Sequence, residues 1–320
     1  MTRAERSRTP GERVAATEPG VARALSGRRR YGERLVRTLL LGCAVVSVAT
    51  TLGIVASLGS EAVAFFRQVP VRDYLTGTSW GPTFRPPAFG VLPLLTATVL
   101  IGVTSMVVAV PVGLGTALYL SEYARPAARR VLKPVLEVLA GVPTVVFGYF
   151  ALTFITPALL QRVLPGTGVF NALSASLAIG LMAVPLVASV SEDAMRAVPG
   201  TLREAAFAMG ATRRTVALRV VVPAALSGIA AAVILGLSRA IGETMIVAIA
   251  AGQMPNLSLD PREAMQTMTA YIVQISMGDT PYGSVEYRTI FAVGATLFLL
   301  TLGLNALSLR LVRRTRERYG

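Results

Sequence analysis

Two ionisable residues interrupt the most apolar part of the sequence. Arg239 and Glu243 are the only charges in the run from Val220 to Ala251. Read as one continuous helix, that run carries Arg239 about 24 Å beyond Pro223 along its axis. A charge at such depth in hydrocarbon is unfavourable by a few kcal/mol at least, and it has to face protein or water. The four-residue spacing sets both side chains on one helix face, where they can neutralise each other as a structural pair. The other reading is chemical: a guanidinium offered to an anion in transit, with Glu243 holding it in position. Arginine suits that task because its planar fork meets a tetrahedral oxyanion through two parallel hydrogen bonds.

A second constellation lies in a loop between two apolar runs. It reads Glu204-Ala205-Ala206, then Gly210, then Val220-Val221-Val222-Pro223, flanked by Arg196, Arg203, Arg213 and Arg214. An acidic residue followed by two alanines suits a helix start, and Gly210 permits a sharp turn. The stretch is either a rigid helix–turn element that passes force to a partner or an ordinary amphipathic loop. Glu137, four residues after Lys133, is expected in an interfacial ion pair. Glu122, at the end of an apolar run, is placed to touch the loop or a partner.

Several chemistries are excluded. The chain has no histidine, so imidazole catalysis and imidazole metal ligation are absent. Its one cysteine, Cys43, lies in an apolar run and is expected to be a small packing residue. Its one lysine, Lys133, follows no glycine-rich loop, so no nucleotide-binding P-loop exists. The net charge of +14 would suit a nucleic-acid binder. The basic residues instead fall between long apolar runs, and no DNA- or RNA-binding motif accompanies them.

The elements that must position these residues are membrane helices. Of 320 residues, 53% are hydrophobic and 15% charged, with a mean hydropathy of +0.61; soluble domains carry roughly 25% charged residues. Six runs are long enough to cross a bilayer: Leu39 to Gly59, Val91 to Leu120, Val138 to Leu160, Ala172 to Ser191, Val220 to Ala251 and Thr289 to Leu309. The first is too long for the apolar part of a signal peptide and reads as an uncleaved span. Residues 1–34, rich in Arg, Pro and Gly, form a basic cytoplasmic tail expected to be disordered. Residues 35–311 form the transmembrane domain, with a cytoplasmic loop at 192–223, and 312–320 are a basic C-terminus.

Alternate loops differ sharply in charge. One side collects the tail, Arg125, Arg129, Arg130, Lys133, the arginines of the 192–219 loop and those after Leu309. The other side has Arg67, Arg72, Arg85, Arg162, Arg262 and Arg288. Positive residues stay inside, so both termini are expected in the cytoplasm. Pro111, Pro143 and Pro185 punctuate the spans, either as kinks or along a lined pathway. Met265, Met268, Ile272 and Ile275 fall at helical spacing, which predicts a short interfacial helix packed on the bundle rather than a ligand box.

The loop pattern resembles the coupling-loop signature of ATP-binding-cassette importer permeases: Glu-Ala-Ala, three residues, Gly, nine residues, an aliphatic pair and Pro. Val220 and Val222 replace the usual Ile and Leu. The sequence Arg239-Ala240-Ile241-Gly242-Glu243-Thr244-Met245, followed by Ala250-Ala251-Gly252, is similar to the PstC-type phosphate permeases. So are Phe89-Gly90 with Pro93-Leu94, Tyr119 to Ala124, Leu139 to Gly148, and Pro199. The likeness covers roughly residues 35–311.

What the resemblance implies is specific. The fold would be an all-α integral membrane protein of about six helices, a type I importer permease in a bacterial inner membrane. Arg239, Glu243 and Thr244 would line the substrate pathway. Glu204, Ala205, Ala206, Gly210 and Pro223 would couple to the ATPase. The partners would be a PstA-type second permease, a cytoplasmic ATPase dimer carrying ATP and Mg, and an extracytoplasmic phosphate-binding protein. The chain itself would bind no cofactor and hydrolyse nothing. Permeases for sulfate, molybdate or phosphonate share the coupling signature, and a phosphate-signalling role is a further alternative.

Overall fold

The computed structural model describes residues 31–319, so the tail expected over 1–34 lies outside the described residues except for its last four, which already belong to helix. Helix α1 spans Tyr31–Phe66. The chain divides at Ala56 into two compact units. Within the first, Leu39, Leu40, Leu41 and Val45 set apolar side chains all round α1, the pattern of a membrane span rather than of an amphipathic surface helix.

The second unit continues through α2 (Val71–Thr76), a two-residue antiparallel pair of β1 (Trp80–Gly81) and β2 (Ala88–Phe89), and α3 (Leu92–Leu118), whose end widens into a π-helical turn, Tyr119–Tyr123. Next come α4 (Pro126–Ala140) and α5 (Thr144–Phe150), which runs on through π-helical Ala151–Leu160 into α6 (Gln161–Val163). Then follow α7 (Ala172–Arg196), α8 (Gly200–Ala208), α9 (Arg213–Val216), α10 (Val222–Ala224) and α11 (Leu226–Ile241). Helices α12 (Met268–Met277) and α13 (Val285–Tyr319) complete the order.

Among the described residues, five helical stretches are long and apolar enough to cross a membrane: Leu35–Phe66, Leu92–Tyr123, Thr144–Val163, Ala172–Arg196 and Val285–Ser308. A sixth forms if Arg213–Ala224 and Leu226–Ile241, bent by 71°, count as one span. Two expected boundaries change. The third span starts at Thr144 rather than Val138, because Gly141 and Pro143 end the preceding helix and Pro143 sits at the N-cap of α5. The fifth is not continuous over Val220 to Ala251. It bends at Ala225, two residues after Pro223, which lacks the N–H of the helix ladder. It ends again at Ile241, where Gly242 is a poor helix former.

The centre of the second unit is α3 packed along α7, with α11 against both. Small residues let these backbones approach: a Cβ on Gly180 would lie 2.8 Å from the Ser105 carbonyl oxygen, and one on Gly113 would lie 2.8 Å from Val187. Ala97, Ala109, Ala175, Ala178 and Ala183 are buried between them. The hydroxyls there donate within their own helix, Ser105 to the Ile101 carbonyl at 2.6 Å and Thr98 to that of Leu94 at 2.7 Å. These two hydroxyls are thereby paired without water.

Where α3 begins, Phe65, Tyr74, Trp80 and Tyr271 meet edge to face, with Trp80 and Tyr271 centroids 4.9 Å apart. Burial pushes the Tyr74 phenol up to about 12, and its hydroxyl is hydrogen-bonded to Thr296 at 2.8 Å. The expected short helix is α12. Met268 and Ile275 are buried and Ile272 is packed beside them, against α13 and α3; Met265, also buried, precedes the helix. Pro111 and Pro185 lie inside α3 and α7, whereas Pro143 marks a helix start.

Candidate functional site

Arg239 occupies the last turn of α11, and its side chain is exposed. The neighbouring Ser238 hydroxyl donates to Asn305 Oδ1 of α13 at 3.1 Å, which fixes the rotation of α11. Arg239 joins Leu120, Lys133, Glu137, Pro185 and Glu192 in the wall of a cavity of about 180 Å³. Among the described residues no ion pair involves Arg239.

The expected pairing of Arg239 with Glu243 is therefore corrected. The helix stops at Ile241, so the four-residue spacing no longer puts the two on one face. Glu243 is buried, and its Oε1 accepts the backbone N–H groups of Met245 at 3.1 Å and Ile246 at 3.3 Å. It caps the next helical turn, which continues as π-helical Val247–Ala251. Its carbonyl accepts the Thr269 hydroxyl at 2.8 Å, tying the break to α12. The Thr244 hydroxyl donates to the Gly242 carbonyl at 3.2 Å. A carboxylate spent on orphan N–H groups satisfies the broken helix and leaves the guanidinium to the cavity.

The loop after α7 forms the second part of the site. Helix α8 begins at Gly200, so Glu204, Ala205 and Ala206 lie in its middle rather than at its start. Gly210 has φ +80°, a left-handed conformation that side chains rarely adopt, and the Ala211 N–H donates to the Ala206 carbonyl at 3.1 Å to close the helix. Thr212 caps α9 by accepting from the Thr215 N–H. Glu204 and Ala205 are exposed, as are Leu202, Phe207 and Met209, whereas Ala206 packs inward with Met195, Val198 and Val216. Pro223 lies in α10, next to the bend.

Arg203 fixes this loop. Its guanidinium donates to the carbonyls of Val198 at 2.6 Å and Met195 at 2.8 Å, and to Glu122 Oε1 at 3.0 Å. One side chain thus joins α8, the end of α7 and the π-helical end of α3. The expected contact of Glu122 with the loop is this bond.

Lys133 does not pair with Glu137. Its Nζ lies 2.9 Å from Glu192 and 2.8 Å from Asp193, hydrogen bonds that raise its pKa, Asp193 contributing most. Glu192 is fully buried, with Arg129 at 2.7 Å and Arg196 at 3.8 Å. The sequence marked Arg203 and Arg129 only as loop charges, and it did not single out Glu192 or Asp193. The available signal was the acidic pair Glu192-Asp193 in a predominantly basic loop. Among the described residues no cluster of His, Cys, Asp or Glu could hold a metal ion.

The sequence profile of the family described as binding-protein-dependent transport system inner membrane component matches residues 109–317. The chain is 35% identical over 275 residues to the probable ABC transporter permease protein YqgH of Bacillus subtilis, covering 85% of this chain and 88% of that one. It is 33% identical to the phosphate transport system permease protein PstC 1 of Mycobacterium tuberculosis, over 71% and 73% of the two chains. The PstC protein of Mesorhizobium japonicum is 29% identical over 78% of this chain and 80% of its own. Among solved structures, a bacterial alginate ABC transporter in complex with an alginate-bound periplasmic protein superposes with a TM-score of 0.61 at 16% identity, over 89% of this chain and 98% of that one. The inward-facing MetNI methionine ABC transporter gives 0.53 at 22% identity, over 71% and 94%. These structures share the fold.

Proposed function

We propose, from the premise that this chain belongs to the family of binding-protein-dependent transport system inner membrane components, that it is the PstC-type permease subunit of an ATP-driven importer of inorganic phosphate. The observation that carries the reading is Arg239: a guanidinium without an ion pair among the described residues, on a cavity wall at the end of a broken membrane helix. Such a cation is unfavourable in a bilayer unless water or an anion completes it. A phosphate oxyanion accepts its paired N–H groups side by side.

In this reading the pathway forms between this chain and a PstA-type permease, with Arg239 contacting the anion. Glu243 shapes the helix break, and Thr244, next to it in the break, belongs to the pathway. Helix α8 is the coupling element: Leu202, Phe207 and Met209 present an apolar surface to a cytoplasmic ATPase dimer, which binds ATP and Mg and performs the hydrolysis. Arg203 carries the resulting displacement to α3 and α7. An extracytoplasmic phosphate-binding protein delivers substrate, and both termini lie in the cytoplasm.

Labelled phosphate uptake in a bacterial strain lacking its own permease, complemented with this chain and its partner subunits, tests the assignment. Uptake should return and be competed by arsenate but not by sulfate or molybdate. Competition by sulfate or molybdate, or no uptake from a complex that assembles and hydrolyses ATP, would reject phosphate as the substrate.

A further inference from the structure

A second concavity, of about 570 Å³, opens on the polar side of α4, beside the ends of α3 and α7. Arg129, Arg130, Lys133 and Arg196 line it, together with Glu137 and the apolar Leu120. Two of the four cations are committed: Arg129 and Lys133 hold the buried Glu192. The other two are not. Among the described residues Arg130 has no ion pair, and Arg196 approaches Glu192 only at 3.8 Å, beyond hydrogen-bond reach. Committed cations also keep donors in reserve. Arg129 uses Nε and one terminal nitrogen, and Lys133 uses two of its three protons.

The setting of α4 fixes what such a concavity meets. Val131, Val135 and Val138, on one face, are 63%, 57% and 74% exposed, while Arg129, Arg130 and Lys133 occupy the opposite face. No residue of α4 is buried. A helix of this kind lies in the plane of a membrane boundary, its apolar face toward acyl chains and its basic face at headgroup level. The concavity also adjoins the cavity of Arg239, since Leu120, Lys133 and Glu137 line both.

We propose that this concavity is a binding site for a phosphate group, gripped by Arg130 and Arg196 with Arg129 and Lys133 behind them. The group is either the headgroup of an anionic phospholipid or inorganic phosphate that has left Arg239; the second source rests on the phosphate reading above, the first does not. Paired guanidinium N–H groups and a lysine ammonium recognise both.

The test uses the assembled importer with its partner subunits. In one arm the complex is extracted from mixed phosphatidylglycerol and phosphatidylcholine nanodiscs, and retained lipid is measured by mass spectrometry. In the other, labelled inorganic phosphate binding is measured in the Arg239→Ala background, so that the translocation site is not counted. The double variant R130Q/R196Q is compared with wild type and with R130K/R196K, which keeps both charges; neither arginine holds Glu192 by a hydrogen bond. A preference for phosphatidylglycerol that falls about tenfold in R130Q/R196Q and survives in R130K/R196K assigns the site to lipid. The same loss in phosphate binding alone assigns it to the free anion. If R130Q/R196Q leaves lipid retention and phosphate binding both unchanged, the site does not exist.

Discussion

At the scale of single residues, the site separates two charges that proximity in sequence would pair. Glu243 serves the backbone and Arg239 serves the cavity. Replacing Glu243 by Ala removes an N-cap, and the complex should lose about 1 kcal/mol of stability, read as a lower thermal midpoint. Glu243→Gln keeps an acceptor oxygen and should lose less. Were the two residues a neutralising pair, Arg239→Ala would destabilise the protein as well, and the double variant would recover stability; on the geometry described, it should not. Glu192 behaves differently. It is fully buried under Arg129 and Lys133, so Arg129→Ala should cost on the order of 3 kcal/mol by leaving that carboxylate short of one partner. Chemical denaturation of the purified complex measures it. The presence of an intramembrane Arg and Glu was readable in the sequence, because polar residues in hydrocarbon announce themselves. Their separation was not, because Gly242, the poor helix former between them, is a residue that continuous membrane helices also carry.

In the proposed importer, coupling belongs to the scale of elements. Arg203 links α8 to α7 and α3 with three hydrogen bonds from one side chain. Arg203→Gln cannot make them all, so α8 should move without carrying the bundle. The expected outcome is ATP hydrolysis near the wild-type rate with several-fold less phosphate imported per ATP, whereas Glu204→Ala on the exposed face should weaken assembly with the ATPase instead. Pulling down the ATPase and measuring transport and hydrolysis on the same vesicles separates the two. The Lys133 bridge sets a pH limit for this region. Its pKa is raised in the fold, so the stabilisation is complete below the ordinary lysine value of about 10.4 and fades only as pH climbs past it. Hydropathy located the spans because each is a long apolar run. It placed the third span six residues early, since Val138 to Ala140 are apolar yet belong to amphipathic α4. It also missed the 71° bend at Ala225, because no charge interrupts the run there and Pro223 and Gly228 are residues that membrane helices tolerate.

For the whole molecule, composition alone excludes a soluble enzyme, and the family match places the chain among inner-membrane transport components. Alternating loop charge predicts the side of each loop. With Cys43 changed to Ser, a cysteine at Ala208 should react with an impermeant reagent only from the cytoplasmic side, and one at Thr83 only from outside; the reverse would invert the topology. The acidic pair Glu192-Asp193 only hinted at the ion cluster of α4 and α7, since Lys133 and Glu192 are 59 residues apart and the fold alone brings them together.

The most direct measurement is initial-rate uptake of labelled phosphate by vesicles holding equal amounts of the wild-type, Arg239→Lys and Arg239→Ala complexes. Arg239→Ala should abolish uptake while binding-protein-stimulated ATP hydrolysis persists, and Arg239→Lys, which keeps the charge but not the fork, should retain only a small fraction. Uptake by Arg239→Ala at the wild-type rate would contradict the assignment of Arg239 to the anion pathway.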